Sequence, residues 1–157
     1  MKKPISLLLL TLLLPVLMIG CGSRKAVDLT ALLSDIDSTV GVAENEMKTL
    51  TDVSDLDVYY GIAEDDVKQF AAQIRNDSST APVEIVLVEA VDVDAAERVN
   101  TALQRRYHSI VSTYASYSPE QLSMAKECGV TVSGNYVMMA VSDHYDEMMK
   151  IINASLG

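Results

Sequence analysis

The stretch Val83-Glu84-Ile85-Val86-Leu87-Val88-Glu89-Ala90-Val91 constrains this chain more than any other. It is rich in β-branched residues and bounded by Pro82 and Asp92, which makes it a strand. A strand with water on one side alternates apolar and polar residues. This one is almost continuously apolar, which places it in the middle of a sheet. A chain of 157 residues has room for one such sheet with its helices, and not comfortably for two domains. Hydrophobic residues make up 49% of the chain, with no Trp and a single Phe, so the core is mainly aliphatic and Met.

The flanking segments fill in the pattern. Asp28 caps a helix whose apolar face is Leu29, Leu32, Leu33 and Ile36, and Gly41 ends it. Residues 42 to 51 are mixed and carry no clear period. Thr51 to Tyr60 reads as one or two helical turns closed by Gly61, and Glu64-Asp65-Asp66 as a solvated turn. Val67, Phe70, Ala71 and Ile74 have helical spacing, yet the segment runs into the Asn76–Pro82 turn and is read as a strand paired with the central one. Asp94 and Glu97 form a capping-box arrangement for a long helix whose buried stripe is Val99, Leu103, Tyr107, Ile110 and Tyr114. Arg98, Arg105 and Arg106 fall mainly on its exposed flank. Ser118-Pro119-Glu120-Gln121 opens a further helix. Gly129 to Ser142 reads as a hairpin turning at Ser133-Gly134-Asn135. Ser142 or Asp143 caps a last helix with Met148, Ile151 and Ile152 facing inward. The expectation is an α+β fold: an antiparallel sheet of about four strands, two hairpin-like pairs linked by the long helix, with helices packed on one face.

The N-terminus is different in kind. Lys2 and Lys3 precede an uncharged, Leu-rich run from Ile5 to Ile19, shorter than the ~20 apolar residues a spanning helix needs. The run ends at Met18-Ile19-Gly20-Cys21, which resembles a bacterial lipobox, with Met18 where Leu is usual. The expected organisation is a signal peptide at 1–20, lipidated Cys21 with a polar tether at 21–27, and one α+β domain at 28–157. Two acyl chains on Cys21 anchor stably where one alone does not. Removing Cys21 from consideration leaves Cys128 as the one remaining thiol, a small buried residue with no disulfide partner in the mature domain. Without Lys2 and Lys3 the mature chain has 10 bases against 22 acids, a net of −12. That balance excludes nucleic acid as a partner.

Reaction chemistry is not written in the residues. His108, His144 and Cys128 lack metal-ligand spacing, and the acids from Asp52 to Asp66 lack the register of a calcium loop. No Gly-x-Ser-x-Gly elbow or glycine-rich phosphate cradle is present. His144 with Asp143 or Asp146 is the one base–acid grouping within a turn. No cofactor is implied, and the chain is not read as an enzyme. Tyr107, Tyr114 and Tyr117 recur on one helical face, a candidate binding face for a glycan or protein, although large core residues with hydroxyls at the rim have the same spacing.

Several pieces carry a resemblance: Tyr60-Gly61-Ile62, Glu84-Ile85-Val86-Leu87-Val88, Tyr117-Ser118-Pro119-Glu120-Gln121, Gly134-Asn135-Tyr136-Val137 and Val141-Ser142-Asp143. Together they make the chain similar to a family of uncharacterised lipoproteins from Gram-positive anaerobes, defined by a domain of unknown function. It departs from the family at Tyr59, where relatives more often have Leu. The resemblance implies one extracytoplasmic domain and no catalytic residues, in the company of membrane acyltransferases and secreted polysaccharide-modifying proteins. The expected function is a lipid-anchored binding or accessory module of the cell envelope, on the outer face of the cytoplasmic membrane. It would meet the membrane through Cys21 and hold an envelope protein or glycan. The alternative is an envelope enzyme, or a direct helper of polysaccharide O-acylation, using His144.

Overall fold

The computed structural model describes residues 26–41, 46–76 and 83–156. The expected signal peptide, Cys21 and the tether as far as Lys25 lie outside the described residues, as does most of the Asn76–Pro82 turn. In chain order the elements are α1 (Leu29–Val40), β1 (Met47–Leu50), α2 (Ser54–Tyr60), a 3₁₀ turn (Glu64–Asp66), β2 (Val67–Arg75) and β3 (Glu84–Ala90). Then come α3 (Val93–Tyr117), α4 (Pro119–Glu127), β4 (Gly129–Ser133), β5 (Tyr136–Val141) and α5 (Tyr145–Leu156). The strands form one sheet in the order β1-β2-β3-β5-β4, every neighbouring pair antiparallel. The fold is α+β, and the two hairpins joined through α3 are as expected.

β3 is the centre, and all its residues are buried. Its alternate side chains serve two cores. Val86, Val88 and Ala90 pack with Val99, Leu103 and Ile110 of α3, while Ile85 and Leu87 pack with Leu29, Leu32 and Ile36 of α1 and Met148 and Ile152 of α5. β5 divides in the same way, Val137, Met139 and Val141 to the first core and Tyr136, Met138 and Ala140 to the second. Helices therefore cover both faces of the sheet, which corrects the one-face expectation. The reason is in β3 itself: a strand apolar at every position needs cover on both sides. The sheet also has a fifth strand, β1, which pairs Thr49 with Gln73 at the edge.

Local signals set most boundaries. Asp28 caps α1 by accepting from Thr30 and Ala31 N–H. Ser118 caps α4 with Pro119 in the first turn. The capping box expected at Asp94 is not the start of α3. Asp92 is the cap, its Oδ1 accepting from Ala95 N–H at 2.8 Å, and Asp94 already lies in the first turn. Asp92 is extended where the chain leaves β3, so the helix begins as soon as the strand ends.

Candidate functional site

A groove of about 630 Å³ runs between the Gly61-Ile62-Ala63 bend and the first half of α3. Gly61 makes the bend. It adopts φ 69°, a left-handed conformation that suits glycine, and its N–H donates to Asp57 O at 2.8 Å to close α2. The chain then drops Ile62 into the core, where it belongs to the same cluster as Val99 and Ala102. These apolar groups floor the groove.

The charged wall belongs to α3. Asp94, Arg98, Thr101 and Arg105 all line the groove, at the three- and four-residue spacing that keeps side chains on one helical face. Arg98 holds Asp66 from across the groove, donating through Nε at 3.0 Å and Nη2 at 2.6 Å. Those hydrogen bonds keep the Asp66 carboxyl below its usual range, against the opposing effect of desolvation. Asp66 was expected in a solvated turn, but it is buried. Arg105 is different: three of the four described arginines, Arg75, Arg98 and Arg106, are paired with carboxylates, and Arg105 makes no ion pair with any described residue. Its guanidinium lies close over Gly61, where an added Cβ would come within 3.9 Å of Nη2.

Arg106, the next residue, points elsewhere. It donates through Nε and Nη2 to the two carboxylate oxygens of Glu84, at 2.9 and 2.7 Å. Glu84 opens the central strand and its side chain is only 4% exposed, so this pair is built into the core beneath α3. Tyr60 shares that environment. Burial, followed by the nearby Glu84 charge, pushes its phenol well above the usual range. Sequence reasoning placed Arg98, Arg105 and Arg106 together on an exposed flank; the structure sends them to three different environments. The available signal was Glu84 and Glu89 in a buried strand, since such carboxylates need partners. Glu89 has them in Lys68 and Gln69, which donate to it at 2.6 and 2.5 Å.

The three tyrosines do not share an exposed face. Tyr107 and Tyr114 are half-buried against the first core, and the Tyr107 hydroxyl donates to Ala125 O at 3.1 Å. Tyr117 is 83% exposed at the end of α3. His144 sits in a smaller pocket of about 250 Å³ before α5. Its Nδ1 lies 3.0 Å from Glu147 Oε2, and its Nε2 3.9 Å from Asp143 Oδ1. The Ser142 hydroxyl makes no hydrogen bond to this ring: it donates to Asp143 and accepts from the His144 backbone N–H. Cys128 is buried behind the same turn, and desolvation raises its thiol above the usual range, away from reactivity. Among the described residues no group of three or more His, Cys, Asp or Glu side chains could hold a metal ion.

The groove at α3 thus combines an apolar floor, a neutralised ion pair at its middle, and one arginine without a partner. Its lining has no histidine or thiol, and its one hydroxyl, Thr101, donates to the Glu97 carbonyl. Residues 41–142 match the family model described as a domain of unknown function (DUF4358). The match spans more than half of the chain, and the chain belongs to that family. No curated protein and no solved structure matches it.

Proposed function

We propose that this member of the DUF4358 family is a lipid-anchored binding module of the bacterial cell envelope, holding a partner at the outer face of the cytoplasmic membrane of a Gram-positive cell. The observation that carries the binding half is the α3 groove with its partnerless Arg105. The anchor half is supported by the sequence alone, in the apolar run that ends at Gly20-Cys21. On this reading residues 1–20 are a signal peptide, 21–27 include the lipidated Cys and tether, and 28–157 are the domain.

The start of the domain limits how far it can stand from the membrane. Val27 is tied to the sheet: its carbonyl accepts from Gln69 Nε2 at 2.7 Å, and its N–H donates to the Tyr136 hydroxyl at 3.4 Å. Only residues 22 to 26 separate it from Cys21, six steps along the chain, which at ~3.3–3.6 Å per residue is a reach of about 20 Å. A partner would therefore be another membrane protein or a glycan close to the bilayer. In-cell crosslinking followed by mass spectrometry tests this, comparing the native chain with Cys21→Ala. One envelope partner captured only with Cys21 intact supports the module. Equal capture by both forms removes the role of the anchor, and no specific capture by either removes the module.

A second reading, a direct helper of polysaccharide O-acylation, rests on the His144–Glu147 contact. It requires that His144→Ala abolish a cell-wall acylation while the fold is kept; unchanged acylation removes it.

A further inference from the structure

The charges along the groove differ at its two ends. α3 rises about 1.5 Å per residue, so Arg105 lies about 12 Å from Glu97 and about 17 Å from Asp94 along the helix axis. All three line the groove. Between them, Arg98 is neutralised by Asp66, and Ile62, Val99 and Ala102 provide an apolar floor with no further charge. Arg105 offers a planar fork matched to a carboxylate or phosphate. Neither Glu97 nor Asp94 takes part in an ion pair among the described residues, and both lie at the other end of the same wall.

Each simple ligand class satisfies one end and conflicts with the other. A polyanion that reached Arg105 would meet Glu97 and Asp94. A cation held by those acids would leave Arg105 without a partner. A ligand with one positive and one negative end, separated by about 12 to 17 Å, complements both. An extended peptide rises ~3.3–3.6 Å per residue, so that separation is about three to five residues.

We propose that the α3 groove takes a short peptide with both ends free, its carboxylate on Arg105 and its amine at Glu97 and Asp94. The proposal rests on reading the groove as a binding site, and it is independent of the anchor at Cys21. Small side chains suffice at the floor, because Ile62, Val99 and Ala102 are all buried and present little apolar surface to a ligand.

Binding of tetra-alanine to the full chain, held in a mild detergent and followed by calorimetry, tests it. Dialanine, C-terminally amidated and N-acetylated tetra-alanine, and inorganic phosphate are the comparisons. Tetra-alanine should bind, and amidation and acetylation should each weaken it about tenfold. Arg105→Gln should give the same loss as amidation, with no further loss when the two are combined; Glu97→Gln should matter only for the peptide with a free amine. Both side chains are exposed, and an unchanged circular dichroism spectrum shows that the variants fold. Capped peptides binding as well as free ones, phosphate binding in place of peptide, or no effect of Arg105→Gln would each overturn the proposal. If peptides fail while crosslinks from the groove persist in cells, this inference falls alone. If both fail, the reading of the groove falls with it.

Discussion

The two faces of the sheet are built from different materials. Beneath α3 the apolar core is laced with charge: Glu84 is held by Arg106, Asp66 by Arg98, and Arg105 stands at the groove. On the other face, Leu29, Leu32, Leu33 and Ile36 of α1 meet Met148, Ile152 and Leu156 of α5 over Ile85, Leu87 and Met138 in a mainly aliphatic layer, whose buried charge is Glu89 at one end, held by Lys68 and Gln69. Polar contacts to α1 come mainly from β2. Gln69 holds the start of α1 through Leu29 N–H and Val27 O, and Gln73 donates to Asp37 near its end. The family match at 41–142 covers the sheet and the charged face, and it leaves out both helices of the aliphatic one. The α3 groove and the helices outside the family match thus lie on opposite sides of one strand.

The largest expected effect follows from that division. A fragment of residues 41–142 would leave Ile85, Leu87, Met138 and Ala140 facing water. Burying one large aliphatic side chain contributes about 1.5–3 kcal/mol, so the sum over these residues, about 5–10 kcal/mol, is comparable with the ~5–15 kcal/mol by which a whole domain is stable. The fragment should show no cooperative melt and should bind a hydrophobic dye, while residues 26–157 melt in one step. A cooperative melt of the fragment would mean that the second face is dispensable.

Next in size is the ion pair under α3. Arg106→Met leaves the Glu84 carboxylate buried without its partner, and should cost about 3–5 kcal/mol in denaturant unfolding. Adding Glu84→Gln should recover part of that loss. On the aliphatic face, Met148→Ala opens a cavity at a fully buried position and should cost about 2–5 kcal/mol. Its effect should be independent of pH, because no charge is involved.

The smallest effect is at the groove wall. Asp66 has its carboxyl held below the usual range by Arg98, so its contribution is present above the unfolded value of about 4 and is lost as pH falls through the lower folded value. The pair is half exposed at Arg98, so Asp66→Asn should cost about 1 kcal/mol at neutral pH. The gap between variant and native melting temperatures should close in acid. A gap that stays constant down to low pH would show that the carboxylate charge does not stabilise the fold.

Much of the charged face could be read from the sequence, and little of its wiring could. β3, the closing Gly61, the hairpin at Gly134 and the long helix each announce themselves through local chemistry: β-branched runs, a left-handed glycine, a capping aspartate. β1 did not, because Met47–Leu50 is four residues long, at an edge, and buries only its two ends. The second face was implied by the continuous apolarity of β3, but naming α1 and α5 as its cover needs to know where the chain ends lie in space. The divergence of Arg98, Arg105 and Arg106 depends on partners far off in sequence, at Asp66 and Glu84. The tyrosine stripe was open between exposed face and core for the same reason: spacing gives the side of a helix, and only packing decides that Tyr107 and Tyr114 rest half-buried against the core while Tyr117 meets solvent.

The most direct test of the account places a photocrosslinking residue at Thr101 on the groove and, separately, at Ser34 on the exposed side of α1, in cells carrying the full chain. Capture of one envelope partner from Thr101, its loss in Cys21→Ala, and nothing from Ser34 is the predicted result. Capture from Ser34 with none from Thr101 would contradict it, and would move recognition to the face that the fold-completing helices build.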